Sequence, residues 1–118
     1  VISQQASEQV RDMMENVVST AKDRPIPDYR MGGKTGTAQR IDPACRCYRG
    51  YISSFVAVAP IEKPRILTYV AINQPSNGHT GAVVAKPAAR QLMSVALPRY
   101  GVQPSTEKAR KEPLEYQP

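Results

Sequence analysis

The sequence predicts an α/β chain of the α+β type, an antiparallel sheet covered by helices. Three observations predict it. Residues 3–21 place apolar side chains at three- and four-residue spacing. Residues 29–73 hold three strand-like runs joined by two short connections, which makes them consecutive antiparallel neighbours. Residues 82–97 return to helical spacing before a polar C-terminal stretch. At 118 residues there is room for one compact domain or part of a larger one.

In the first helix, Ala6, Val10, Met13, Met14, Val17, Val18 and Ala21 form one apolar stripe, a core-packing face. Ser3 is the expected N-cap, and Glu8, Asp12 and Glu15 fall on the wet side. Pro25 and Pro27 break the helix within a loop over residues 22–28. An extended run over 29–41 ends at Asp42-Pro43, and an arginine-rich loop over 42–50 carries Cys45 and Cys47. The second strand spans 51–59, a proline-bounded turn spans 60–64, and the third strand spans 65–73. Residues 66–72 are nearly continuous in apolar residues, which predicts a strand covered on both faces. In the second helix Val84, Ala88, Leu92, Val95 and Ala96 give the buried stripe. Pro87 must sit near its first turn or kink it, since an interior proline costs about 3 kcal/mol. Pro98 is expected to stop it. Residues 1–101 thus form the folded part and 102–118 a flexible tail too polar to pack. Three strands and two helices leave an unpaired sheet edge, as half a domain would.

The net charge is +6, and it is unevenly spread. Between residues 29 and 106 there are ten basic side chains and two acidic ones, Asp42 and Glu62. Such a field favours an anionic partner, whether nucleic acid, anionic lipid or polyanionic cell wall. No run of about 18 apolar residues could span a membrane. No signal peptide is visible and the chain opens at Val1, as expected of a mature or cut piece. Cys45 and Cys47 can close a small disulfide, stay reduced or bind metal, but tetrahedral zinc wants four ligands and His79 would be only a third. No metal or cofactor is expected.

The stretch that organises the chain is Gly32-Gly33-Lys34-Thr35-Gly36-Thr37-Ala38-Gln39, flanked by Met31 and Ile41. Its small residues permit close approach of a backbone or ligand, while the lysine and hydroxyls offer a cation and donors to a carboxylate or phosphate. A phosphate-binding P-loop would need a glycine five positions before Gly33, where Asp28 stands, and a helix starting at the lysine. A Lys-Thr-Gly tripeptide alone arises by chance on the order of a few per cent of the time in a chain this long. More than the tripeptide is present, however. The run from Tyr29 to Gln39 resembles the Lys-Thr-Gly strand of class B penicillin-binding proteins, within the penicillin-recognising serine transpeptidase/β-lactamase-like fold. Ser54-Phe55-Val56-Ala57-Val58-Ala59-Pro60 resembles their next strand. The Val1-Ile2-Ser3 opening, the Val10-Arg11-Asp12-Met13-Met14 helix and the Gly81 to Pro87 segment are similar too. The similarity covers residues 1–100, which would be the C-terminal part of the transpeptidase domain. The Pro43-Ala44-Cys45-Arg46-Cys47-Tyr48 loop resembles septal, cell-division members from actinobacteria.

The resemblance implies a serine DD-transpeptidase acting on peptidoglycan stem peptides that end in D-Ala-D-Ala, trapped by β-lactams as an acyl-enzyme. Lys34 would supply positive potential, and Thr35 and Thr37 would bond the substrate's terminal carboxylate. The N–H of Thr37 would be an oxyanion-hole donor, a role worth roughly 3 kcal/mol. Gly36 would let the peptide lie alongside as an added strand, with Ala38 and Gln39 extending the substrate-binding wall. The resemblance also implies divisome partners including a septal glycosyltransferase, no nucleic acid, and a place on the extracytoplasmic face of the bacterial plasma membrane, held by an N-terminal anchor.

The family's Ser-x-Asn motif does not occur in this chain. Ser-x-x-Lys occurs twice. Ser19 lies at a predicted helix C-terminus, where the dipole opposes an anion, and only 15 positions before Lys34; Ser105 lies in the tail. The nucleophile is therefore expected on a preceding part of the same protein. His79 is expected to be solvated or capping, and Arg40, Arg46 and Arg49 to be solvated loop residues. Two other classes remain: a penicillin-binding sensor or non-catalytic wall-binding relative, and a nucleic-acid binder, which would lack stacking aromatics and any known motif.

Overall fold

Ser3 begins the first helix as expected, its hydroxyl accepting a hydrogen bond from the Ala6 N–H at 3.1 Å. In the computed structural model, which describes residues 1–19 and 26–108, helix α1 runs Gln4–Ser19. Strands β1 (Gly32–Asp42), β2 (Cys47–Ala59) and β3 (Ile66–Asn73) follow, then the short helix α2 (Gly81–Val84) and helix α3 (Lys86–Arg99). The predicted helix end at 20–21, most of the proline loop, Lys22 of the first Ser-x-x-Lys match, and residues 109–118 lie outside the described residues.

The strands form an antiparallel sheet in the order β1-β2-β3, with Thr37 opposite Ser53, Gly36 opposite Ser54 and Val56 opposite Tyr69. One face holds the core: Phe55, Ala57 and Ala59 of β2 lie under Ala89, Met93 and Leu97 of α3, with Val70 and Ile72 beside them. β1 and β2 reach further toward each other than expected. Cys47 to Gly50 belong to β2, and the loop shrinks to a turn in which the Asp42 carboxylate accepts the Ala44 N–H at 2.9 Å. Cys45 and Cys47 close a disulfide across that turn around Arg46, whose φ is 51°.

Five expectations are corrected. Glu15 is fully buried rather than wet: Arg30 donates to both of its oxygens, at 2.7 Å each, which turns that side of α1 inward. Val10, Met13 and Val17 are exposed in consequence. β3 is not covered on both faces; its burial alternates, and Leu67 and Tyr69 are each 64% exposed on the face away from α3. The single helix over 82–97 is two helices, because Pro87 has no N–H and its ring crowds the carbonyl four residues back. Leu92 and Val95, expected in its buried stripe, are exposed, and Ala89, Met93 and Leu97 face the core instead. Pro98 does not end α3. It sits in the last turn, and Gly101, at φ 65°, stops the helix instead: its N–H bonds the Pro98 carbonyl while the Val102 N–H bonds that of Leu97, both at 3.0 Å.

The tail expected from residue 102 starts as ordered chain. Val102 is buried in the core, and its carbonyl accepts the Tyr29 hydroxyl at 2.8 Å. Ser105 bridges to the segment before β1, donating its N–H to the Asp28 carbonyl at 2.8 Å and accepting the Arg30 N–H on Oγ at 2.9 Å. Arg30 is thereby held from two sides. The Glu15 carboxylate raises its pKa above the ordinary value, chiefly through their hydrogen bonds and against the cost of burial. Removing Glu15 leaves a buried guanidinium with only the exposed Glu107 carboxylate, 3.7 Å away, in place of two buried hydrogen bonds. Glu15→Ala should therefore cost about 3–5 kcal/mol of stability, measured by denaturant unfolding, whereas the paired change Glu15→Met with Arg30→Met should return close to wild type.

Candidate functional site

Strand alternation puts Thr35, Thr37 and Gln39 on one face of β1, and Lys34 and Ala38 on the other. β1 is an edge strand among the described residues, so both sets flank an open edge. Lys34 is exposed and hooks along the strand, its Nζ 3.1 Å from the Thr35 carbonyl oxygen and 3.5 Å from Thr35 Oγ1. Thr35 and Gly36 are half-buried, while Thr37, Ala38 and Gln39 are exposed. Thr37 Oγ1 accepts the backbone N–H of Gly81 at 3.3 Å.

The glycines divide into two groups by what they touch. Gly32 and Gly33 serve the core rather than a ligand. A methyl group on Gly32 would strike Ile61 and Met14, and one on Gly33 would strike the Phe55 ring and the Val56 carbonyl. Gly36 lies nearer the open edge, where an added methyl would meet Ser54 Oγ at 2.5 Å. Gly81 makes the close backbone approach: a methyl there would run into the carbonyl oxygens of Ser54 and Gly36. The turn leading to it is anchored as well. Ser53 Oγ donates to the His79 carbonyl at 2.5 Å, and the His79 ring stacks on Tyr51 with centroids 4.6 Å apart.

Lys34, Thr35, Gly36 and Thr37 are thus brought to one strand edge, with Ala38 and Gln39 continuing it. His79 is exposed as expected, but its ring is stacked rather than free in solvent. Arg46 and Arg49 sit exposed at the hairpin tip, Arg49 lying 3.6 Å from Asp42. Neither Ser-x-x-Lys serine lies in this array: Ser19 Oγ donates to the Asn16 carbonyl, and Ser105 Oγ accepts from Arg30. Among the described residues no three His, Cys, Asp or Glu side chains gather as a metal site would need. Ser53 and Gly81 were not among the predicted site residues. Counting the hairpin register back from the Asp42–Cys47 pair would set Ile52 opposite Thr37; a one-residue register shift between Gln39 and Ile41 brings Ser53 there instead, and nothing in the sequence marks that shift.

The chain belongs to the penicillin-binding-protein transpeptidase family: residues 1–94 match the family described as the penicillin binding protein transpeptidase domain. The resemblance to class B penicillin-binding proteins is borne out at that level. Over 115 residues it is 36% identical to stage V sporulation protein D of Bacillus subtilis, covering 95% of this chain and 18% of that protein. It is 31% identical over 109 residues to the probable peptidoglycan D,D-transpeptidase PenA of Neisseria flavescens, covering 89% of this chain and 27% of the relative. Among solved structures, penicillin binding protein 3 from Mycobacterium tuberculosis, complexed with ampicillin, superposes with a TM-score of 0.79 at 27% identity. That match covers 98% of this chain and 28% of the other. The chain therefore spans roughly a fifth to a quarter of the length of these relatives.

The two kinds of glycine should separate experimentally. Gly33→Ala presses on a buried ring and a fixed carbonyl, so it should lower thermal stability by about 1–3 kcal/mol. Gly36→Ala meets only a hydroxyl that can rotate; its smaller loss should be largely recovered by Ser54→Ala in the same protein.

Proposed function

We propose that the protein carrying this chain is a penicillin-binding serine DD-transpeptidase that cross-links peptidoglycan stem peptides during septal wall synthesis. The observation that carries this is the Lys34-Thr35-Gly36-Thr37 edge, where two hydroxyls of one face and a lysine of the other flank an open strand. Relatives named as peptidoglycan D,D-transpeptidases, and a structural neighbour complexed with ampicillin, support it.

In this reaction a serine oxygen bonds to the carbonyl carbon of the penultimate D-alanine, and the C–N bond breaks. D-Alanine leaves with the proton taken from the serine. An amine of a second strand then attacks the ester, and the serine recovers its proton. Thr35 and Thr37 donate their hydroxyl hydrogens to the terminal carboxylate of the donor peptide. The Thr37 N–H faces the developing oxyanion, and Lys34 adds positive potential where that charge grows. The nucleophilic serine and the Ser-x-Asn motif belong to a preceding part of the same protein, which also supplies the membrane anchor and sets the site on the extracytoplasmic face. Exposed Leu67 and Tyr69 on β3, and exposed Met13 on α1, support further chain packing there. Divisome proteins, including a septal glycosyltransferase, are the expected partners.

The test is intact-mass labelling of the full-length protein with penicillin, followed by incubation with a stem peptide and an acceptor amine. One adduct and a cross-linked product are expected, with acylation of Lys34→Ala slowed about 10²- to 10³-fold. Absence of any adduct on the wild-type protein overturns the proposal. An adduct that persists without cross-linked product favours a penicillin-binding sensor.

A further inference from the structure

We infer that the turn before α2 is a positioning device for Thr37: Gly81, held in place through Ser53, fixes the Thr37 hydroxyl as an outward donor. The inference rests on the proposed transpeptidase function and adds to it residues outside the Lys-Thr-Gly strand.

A threonine hydroxyl has one proton and two lone pairs, and left alone it rotates to suit its surroundings. At Thr37 that freedom is restricted. The Gly81 N–H is directed at Oγ1, so the hydroxyl's own proton must point elsewhere. The side chain is exposed, and elsewhere means the open side of the site. Thr35 is treated alike, its Oγ1 facing the Lys34 ammonium at 3.5 Å. Both oxygens accept from a protein donor, and both protons are free for a ligand. Two hydroxyl donors on one face, about 6–7 Å apart along the strand, suit an anion with two acceptor oxygens. Water or a neutral carbonyl would use them less well.

The approach that delivers this N–H is steric in origin. Gly81 lies against the carbonyl oxygens of Ser54 and Gly36, where any side chain would collide. What keeps the turn there is the Ser53 hydroxyl, fully buried and donating to the His79 carbonyl, with the Tyr51–His79 stack beside it. Ser53 is the cross-strand partner of Thr37, so one register position both presents the hydroxyl and holds the loop that orients it. Ser53 touches no substrate in this arrangement. It acts through Gly81 on Thr37.

The experiment compares acylation of the full-length protein by benzylpenicillin and by its methyl ester, which lacks the carboxylate charge. In the wild type the free acid should react faster, and Thr37→Val should cut that preference about tenfold or more, the scale of a hydrogen bond to a charged group. Thr37→Ser, which keeps the hydroxyl, should restore most of it. Ser53→Ala should lower the acid-over-ester preference several-fold while leaving the ester rate unchanged. Placed in the Thr37→Val background, it should do nothing further. Gly81→Ala should act in the same direction, and where it fails to fold the Ser53 variant decides. If Ser53→Ala slows acid and ester alike, or lowers the preference equally without the Thr37 hydroxyl, the positioning role is overturned and the transpeptidase function stands. If the wild type is acylated by neither, both fall.

Discussion

The position of every group at the site follows from the register of β1 on β2, and that register is fixed by Phe55 filling the space left empty by Gly33. Phe55 is fully buried, and the two residues are too close for any side chain at position 33. A slip of one residue would put a lysine or a second glycine over the ring and turn both threonines to the opposite face. The same register sets Thr37 against Ser53 and Gly36 against Ser54, the two pairs on which the turn before α2 rests. A packing contact in the core thus determines which hydroxyls reach the open edge.

Both ends of β1 are held by other means. Before the strand, Arg30 is gripped by Glu15 of α1 through its side chain and by Ser105 through its backbone, which ties segments 15 and 75 residues away to one point. Beyond the strand, the turn is closed by the Cys45–Cys47 disulfide and the Asp42 carboxylate, so the hairpin needs no partner at its tip. Between these anchors the exposed stretch from Lys34 to Gln39 needs little packing of its own. Its residues can be chosen for what they offer a ligand, because the core and the two ends carry the order.

Local features were legible in the sequence and tertiary ones were not. Ser3 as a cap, the three strands and the alternation that unites Thr35 with Thr37 depend on neighbours within a few positions, and all could be read directly. Glu15 was misplaced because the partner that draws it inward lies beyond an intervening loop. The run at 66–72 suggested burial on both faces, yet Leu67 and Tyr69 are open in this chain, since apolar composition cannot say what covers a face. Pro98 was the stronger stop signal on paper. The helix passed it because a last-turn proline gives up only one hydrogen bond, whereas Gly101 at positive φ satisfies two terminal carbonyls. That Lys34 to Thr37 lie on one extended strand was legible from the run that contains them, but the contacts of Gly81 and Ser53 were not, because they meet Thr37 only once the sheet and turn are folded.

The placement of Lys34 completes the physical case for an edge-bound ligand. Its side chain belongs to the face opposite Thr35 and Thr37, so a small ligand on either face would meet the hydroxyls or the ammonium, not both. Along the free edge of β1 the two sets converge: Lys34 Nζ already curls to the Thr35 carbonyl and hydroxyl, around the strand rather than away from it. A partner lying there meets backbone groups that β2 does not use, two hydroxyl donors and one cation. An extended peptide ending in a carboxylate presents the complement of that set, with amides to pair along the strand and a terminal anion for the donors. A phosphate or a flat nucleobase would use part of it and leave the strand edge unpaired. Under the proposed function, the edge therefore suits a peptide carboxylate better than the other anions that the net charge alone would admit.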